Sequence, residues 1–589
     1  MRNSNKNVLK VLAVVLCVLL AYPAFLMSAS ALDTTKIPAP QIVTTTLQSI
    51  MESRSEEKIR VAIWLKDYDT EEALATKSLP DFQTRLETIQ EVERTSTAPN
   101  ETTRSIEVKR AALRLCYEPY TAHFESNFLT DDEIVYASVY LPTIIAELTP
   151  ARIKAISNLA VVEFIDYYDE GTMETELTPA LSTTNGDNSR SFGYTIEDNI
   201  QYINAGALRS SMPTNTTVKV GMIDGGNPEA RSAYASLNAT GKIICHYSNA
   251  GESNHASDVL EILASLAPHA TFYCGILAVV CQQEFDWFLE NGVTVVNISA
   301  TISSPTTGVY DPDNTYGAVA YYLDQIICTY NLTVVKSAGN EGADGITSGG
   351  MAYNIISVGN FDAGNNCMHE QSSYYSGSSQ LPSKPDISAP GCSKFNGSAE
   401  IEPGTSFAAP IITAIIAIMM SRDTAYLNNP ALNKATIVCS TMDEHSYETG
   451  DDEYQTFGAG VIDGEKVRQA IVHRQTRTIE GTIGQSLGAY NCHSLNCSEM
   501  DPVRVAFVYI RPVTFTQDFP TPTLGIDVYN DYGGLIHGLL YAYQNVKILE
   551  FEPFDETSFE IHITRYADNI NTTRPSIATE SDYAIVWYQ

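Results

Sequence analysis

Four short apolar runs, at 218–223, 294–298, 332–335 and 355–358, are continuous rather than alternating, and Gly, Asn or Ser bounds them. A strand that meets solvent on one face alternates apolar with polar residues, whereas a strand buried on both faces does not. Helical segments, including 258–266 and 316–330, lie between these runs. Doubly buried strands alternating with helices predict an α/β unit, a parallel sheet sandwiched by helices. A later helix, 411–420, is apolar all round and belongs in the interior. This pattern occupies residues 186–472.

A chain of 589 residues exceeds what one compact domain holds, so further units are expected on either side. Residues 1–31 read as an export signal. Arg2, Lys6 and Lys10 precede an apolar run, and Ala29-Ser30-Ala31 fits a cleavage site. Pro23 and the small residues favour cleavage over a retained anchor, which predicts a secreted, extracellular protein. Residues 32–185 hold a small α+β pattern. Val61, Ile63 and Leu65 alternate on one face of a half-buried strand, and a polar, helix-prone stretch runs to about Asn127. The segment 136–147 reads as one strand. Thr149 and Pro150 open a short helix bearing Ile153, Ile156 and Leu159, and 161–165 is a further strand. A polar linker, 169–190, follows. Residues 473–589 lack helical periodicity; strand-like runs at 503–510, 524–529, 545–551 and 558–563 predict an antiparallel β-sandwich.

Four motifs fall in order within the α/β unit. Val218-Lys219-Val220-Gly221-Met222-Ile223-Asp224-Gly225-Gly226 is a buried strand ending in a carboxylate. Asn254-His255-Ala256-Ser257-Asp258 places a histidine at a helix start. Val334-Val335-Lys336-Ser337-Ala338-Gly339-Asn340-Glu341-Gly342 delivers an amide into a loop. Gly404-Thr405-Ser406-Phe407-Ala408-Ala409-Pro410 sets a serine at the mouth of the apolar helix, where first-turn N–H groups favour negative charge. Taken one by one these are modest signals: such an Asp is more often a turn residue, and a lone His at a helix start is more often structural. Their order, with spacings of 31, 85 and 66 residues, resembles the subtilisin-like serine peptidases, or subtilases. Leu266-Ala267-Pro268-His269-Ala270, Asn297-Ile298-Ser299 and Phe457-Gly458-Ala459-Gly460 extend the resemblance across the unit.

The resemblance implies a secreted serine endopeptidase that hydrolyses peptide bonds through an acyl-enzyme. It implies that Ser406 is the nucleophile, His255 the general base and acid, and Asp224 the group that orients the imidazole. It implies that Asn340 binds the oxyanion and that Ser299 and Gly339 line the substrate. No cofactor is required for the chemistry; structural calcium is common in the family, and these residues single out no ligand set for it. Ala256 stands where family members usually carry Gly, and Asp258 where they often carry a second His. Ala300-Thr301-Ile302 lacks the glycines common there, which bears on the size of the primary specificity pocket. Residues 32–185 resemble an inhibitory propeptide, and Leu524-Gly525-Ile526-Asp527-Val528-Tyr529 resembles part of a jelly roll.

The partners expected are protein or peptide substrates and the chain's own N-terminal pro-segment. With 36 Lys+Arg against 70 Asp+Glu the formal charge is −34, which repels phosphate backbones and argues against nucleic-acid binding. Beyond the signal no segment is expected to insert stably in a membrane. Export permits disulfides; Cys492 with Cys497 and Cys274 with Cys281 are near enough in sequence to pair, and no C-x-x-C pair suggests zinc. Two other readings stay open: a catalytically impaired subtilase-fold binding protein, and a subtilase-type peptide ligase or cyclase that resolves the acyl-enzyme with an amine.

Overall fold

The computed structural model describes residues 42–66, 82–168, 192–211, 213, 218–229, 238, 241–246, 253–276, 281–300, 316–346, 349–377, 381–395, 399–484, 488–498, 501–512, 523–540, 544–553, 556–566 and 581–589. The expected signal and the linker 169–190 lie outside the described residues.

The first described unit is an antiparallel sheet of β1 (Ile59–Leu65), β2 (Ile134–Ala137), β3 (Thr143–Leu148) and β4 (Val162–Tyr167), ordered β2-β3-β1-β4. Val61, Ile63 and Leu65 face a core made with the helices Thr45–Ser53, Glu101–Phe128 and Pro150–Ser157. Thr149 caps the last of these, its side chain accepting from Arg152 N at 3.4 Å with Pro150 in the first turn. The expected strand at 136–147 is instead the hairpin β2–β3. Pro142 has no N–H to donate to a ladder, and the Ser138 hydroxyl accepts from Tyr140 N and Leu141 N, which fixes the turn. β1, expected to be half-buried, is buried on both faces, because Ala62 and Trp64 pack into the neighbouring unit.

The central sheet contains β5 (Lys219–Asp224), β6 (Ile243–Cys245), β7 (Thr271–Ile276), β8 (Val295–Ile298), β9 (Thr333–Ser337), β10 (Ile356–Asp362), β11 (Cys367–Met368), β12 (Ile387–Pro390), β15 (Thr441–Ser446) and β16 (Gly460–Ile462). From β16 through β12, β10, β9, β8, β5 and β7 to β6 every pairing is parallel; β15 and β11 add antiparallel edges. A short hairpin of β13 (Cys392–Ser393) and β14 (Glu402–Pro403) leads into the apolar helix.

Both faces of the sheet are covered. Val220, Met222, Val295 and Val335 share one core with the helices His255–Leu266 and Thr405–Arg422. Ile223, Val296, Ile298 and Val334 share the other with the helices Cys281–Glu290 and Ala318–Tyr330. Gly221 is where the Phe288 ring presses on the strand, and a Cβ there would lie 3.0 Å from it. Thr405–Arg422 is long and apolar enough to cross a membrane, yet is 89% buried inside the protein, as a core helix must be.

The last unit is a β-sandwich. One antiparallel sheet orders β17 (Thr478–Ile483), β24 (Ser581–Tyr588), β19 (Val503–Tyr509) and β22 (Val546–Phe551); the other orders β18 (Tyr490–Asn496), β23 (Ser558–Tyr566), β20 (Thr523–Asn530) and β21 (Leu535–Leu539). Val505, Phe507, Ile526, Val528, Ile561 and Trp587 fill the space between the sheets. The back of the first sheet docks on the central unit through Ala506, Val508, Ile548 and Val586. Neither expected cysteine pair is bridged. Cys497 packs against the sandwich core while Cys492 is exposed on the opposite face, and Cys274 sits in register beside Cys245, not Cys281.

Candidate functional site

β5 is the first strand of the central sheet and lies inside it, with β7 on one side and β8 on the other. Chain direction across the sheet reverses there, and crevices at the carboxyl ends of strands beside such a reversal are where open α/β sheets bind ligands. Asp224 is the last residue of β5 and is buried. Gly226 follows with φ +98°, a left-handed conformation in which a Cβ would lie 2.7 Å from the Ser253 carbonyl. That close approach brings the loop before His255 against the end of β5. His255 opens its helix, and its Nδ1 lies 2.6 Å from Asp224 Oδ1. The carboxylate thereby sets the tautomer, placing the ring proton on Nδ1 and leaving Nε2 as the basic nitrogen.

Ser406 is the second residue of the helix Thr405–Arg422 and is 1% exposed. Its neighbour Phe407 lies 5.3 Å from the His255 ring, centroid to centroid, so the serine turn and the imidazole share one site. Gly404, at the N-cap, has no side chain to cap the first turn. Asn340 does so from beyond β9: its Oδ1 accepts from Thr405 N at 2.9 Å and from Thr405 Oγ1 at 3.1 Å. With the oxygen end held there, the amide presents its NH₂ end as the donor. Thr405 Oγ1 also exchanges hydrogen bonds with the Gly339 backbone, at 3.1 Å from its N and 3.2 Å to its O.

Ser299 follows β8, and its hydroxyl donates to the Ser406 carbonyl at 2.8 Å. Asn297 Nδ2 donates to that hydroxyl at 2.9 Å, and Thr413 Oγ1, inside the serine helix, donates to Asn297 Oδ1 at 3.1 Å. Asp224 pairs with His255, Ser299 bonds the Ser406 carbonyl, Thr405 joins Asn340 and Gly339, and the Phe407–His255 ring contact sets these groups side by side at the strand ends. Thr405 is the member that residue-by-residue reading passed over; its place beside Ser406 is the only sequence signal for it. Asp258 is buried one turn into the histidine helix. Ala300 is buried, its carbonyl accepting from the fully buried Lys336 Nζ at 3.2 Å; 301 and 302 lie outside the described residues.

A second polar cluster joins the N-terminal unit to the central one. Asp286, on the helix Cys281–Glu290, accepts from Tyr136 Oη at 2.7 Å, Ser138 Oγ at 3.0 Å and Val139 N at 2.9 Å. Burial pushes its carboxyl up to about 7, against the opposing pull of those donors. Nearby, Tyr168 Oη donates to Gln282 Oε1 at 2.8 Å, and Arg114 pairs with Glu290 at 2.6 Å. Trp64 meets Tyr321 edge-on at 4.8 Å.

A buried carboxylate–imidazole pair beside a serine at a helix mouth, on a parallel sheet covered on both faces, defines a subtilisin-like α/β protein. Residues 274–460 match the family model described as the subtilase family (Peptidase_S8). Subtilisin E of Bacillus subtilis is 25% identical over 291 residues, covering 44% of this chain and 70% of the relative. The subtilisin of Bacillus pumilus is 26% identical over 259 residues, covering 39% of this chain and 86% of the relative. Among solved structures, the patellamide maturation protease PatA aligns at 17% identity with a TM-score of 0.35, covering 43% of this chain and 97% of that one. The prenylagaramide maturation protease PagA aligns at 17% identity and a TM-score of 0.35, covering 45% and 95%. Over residues 274–460 the central unit therefore carries a subtilase-family match, and the chain is similar to the subtilisins there.

Proposed function

We propose that the chain is an exported endopeptidase that cleaves peptide bonds through an acyl-enzyme on Ser406. The observation that carries this reading is the 2.6 Å contact from Asp224 to His255 beside the serine turn. A serine hydroxyl is too weakly acidic to attack an amide unaided. His255 Nε2 takes its proton and returns it to the leaving amine, while Asp224 holds the ring and stabilises the imidazolium. As the carbonyl becomes tetrahedral, the Asn340 NH₂ group and the Ser406 N–H bind the oxyanion in a site already oriented by Thr405. Ser299 and Gly339 line the substrate beside this site. A fluorophosphonate probe will label the processed wild type at Ser406 and leave Ser406→Ala unlabelled. Turnover will fall by roughly 10⁶, the loss known for the serine of subtilisin itself. Equal labelling of both proteins would remove Ser406 from the mechanism.

The N-terminal unit is, on this reading, a pro-segment that stays docked until it is cut. Its contacts favour the assignment: among the described residues the apolar and carboxylate contacts fall on the two sheet-flanking helices, Cys281–Glu290 and Ala318–Tyr330, and Asn100 also donates to Thr424 O in the turn after the serine helix.

A further inference from the structure

Outside the catalytic cleft, one place among the described residues brings three different metal-ligating side chains together. Cys492 on β18 and His562 on β23 are direct cross-strand partners, and Glu560 is two residues from His562 on the same face of β23. One ligand atom from each lies within 4.8 Å of the others, and His562 Nε2 is already 3.2 Å from Glu560 Oε2. In a tetrahedral zinc site neighbouring ligand atoms stand about 3.5 Å apart, so side-chain shifts of about 1 Å close the set. The strands hold the three Cβ atoms fixed while the side chains make that adjustment.

The surroundings fit a cation. Asp527 on β20 is the partner of His562 on its other side, so a row of Cys492, His562 and Asp527 crosses three strands of one face. The rings of Tyr529 and Tyr490 flank the imidazole at 4.6 and 5.5 Å. Cys492 and Glu560 are exposed and reachable from solvent. Cys497 packs toward the sandwich core on the opposite face, so it does not compete for the Cys492 thiol.

We propose that Cys492, His562 and Glu560 form a binding site for a borderline-soft divalent ion of the zinc class on the outer face of the C-terminal sandwich. A thiolate with an imidazole selects such an ion over calcium or magnesium, which take oxygen ligands. The ion cross-links β18 at the sheet edge to β23, so it stabilises the folded sandwich by binding it and not the unfolded chain. The site is remote from the strand ends that carry Ser406, and its test needs no peptidase activity.

The experiment uses the full-length Ser406→Ala chain, stripped with a chelator and titrated with Co²⁺ and then Zn²⁺. One equivalent of Co²⁺ will give a near-ultraviolet thiolate-to-metal charge-transfer band, displaced by Zn²⁺ and untouched by Ca²⁺. Cys492→Ser will abolish the band and weaken Zn²⁺ binding at least ~10-fold, the scale on which even supporting residues matter at metal sites. His562→Ala will weaken it similarly, and Cys497→Ser will leave both readings unchanged. Circular dichroism will verify that each variant is folded. A band that survives Cys492→Ser, one that is lost in Cys497→Ser, or no stoichiometric band in the parent chain overturns the proposal.

Discussion

At the scale of single residues, the proposed oxyanion donor depends on a hydrogen bond that the donor does not itself provide. Asn340 is held through its oxygen by Thr405 N and Oγ1, and this leaves the NH₂ end of the amide for the proposed oxyanion. Asn340→Leu removes the donor, so kcat will fall by roughly 10²–10³ with KM little changed, the range known for this loss in subtilisin. Thr405→Val keeps the shape and the N–H but removes the hydroxyl that also clamps Gly339. One such positioning bond contributes about 1 kcal/mol, so kcat will fall about fivefold at unchanged KM. Thr405→Ser, which restores the hydroxyl, will recover it. A Thr405→Val variant with wild-type kcat would show that the hydroxyl does not position Asn340.

At the scale of elements, the helix Cys281–Glu290 carries Asp286 into the contact with the β2–β3 hairpin, where a carboxyl ordinarily titrating near 3.8 is pushed up to about 7. The folded state therefore holds a proton between those values that the unfolded chain releases. Stability from this group is fully present below pH ~4, is lost as pH rises towards 7, and changes no further above it. Thermal unfolding of the Ser406→Ala chain, which lacks the proposed nucleophile, will show this slope, and Asp286→Asn will remove it whatever it does to the baseline. Identical pH profiles for the two chains would mean that Asp286 stays ionised in the docked state. None of this contact was legible in the sequence, because Asp286 and Ser138 are 148 residues apart and each looks like an ordinary surface polar residue. The same holds for Cys492 and His562, 70 residues apart on paired strands. What the sequence did reveal was local or periodic. The doubly buried runs became β5, β8, β9 and β10, and the apolar stretch became the serine helix, because burial on all sides leaves a mark on every residue of an element. The alternation of Val61, Ile63 and Leu65 disclosed one face of β1, but Ala62 and Trp64 are buried by a partner unit that local pattern cannot contain. The turn at 138–142 was missed because Pro142 sits between two apolar stretches that read as one.

At the scale of the whole molecule, the three units share cores rather than merely adjoin. Ala62, Trp64, Ile145, Phe164 and Tyr168 of the N-terminal unit lie in one apolar cluster with Phe285, Tyr321, Tyr322 and Tyr330 of the central unit. Removing residues 32–185 would leave the aromatic faces of two sheet-flanking helices, and Asp286, without their cover. Those helices must pack on a sheet whose neighbouring strands are distant in sequence, the kind of contact that slows folding most. On the proposed pro-segment reading, a unit that binds both helices lowers that barrier, and the same contacts keep it bound afterwards. The catalytic unit made without residues 32–185 will therefore remain inactive. Adding the separate 32–185 segment will first raise active-site labelling and then, in excess, suppress peptide cleavage. The full-length Ser406→Ala chain will stay uncut when made alone and will be cut when mixed with active enzyme. Full activity from the shortened chain would make the N-terminal unit an accessory domain while leaving Asp224, His255 and Ser406 in their roles.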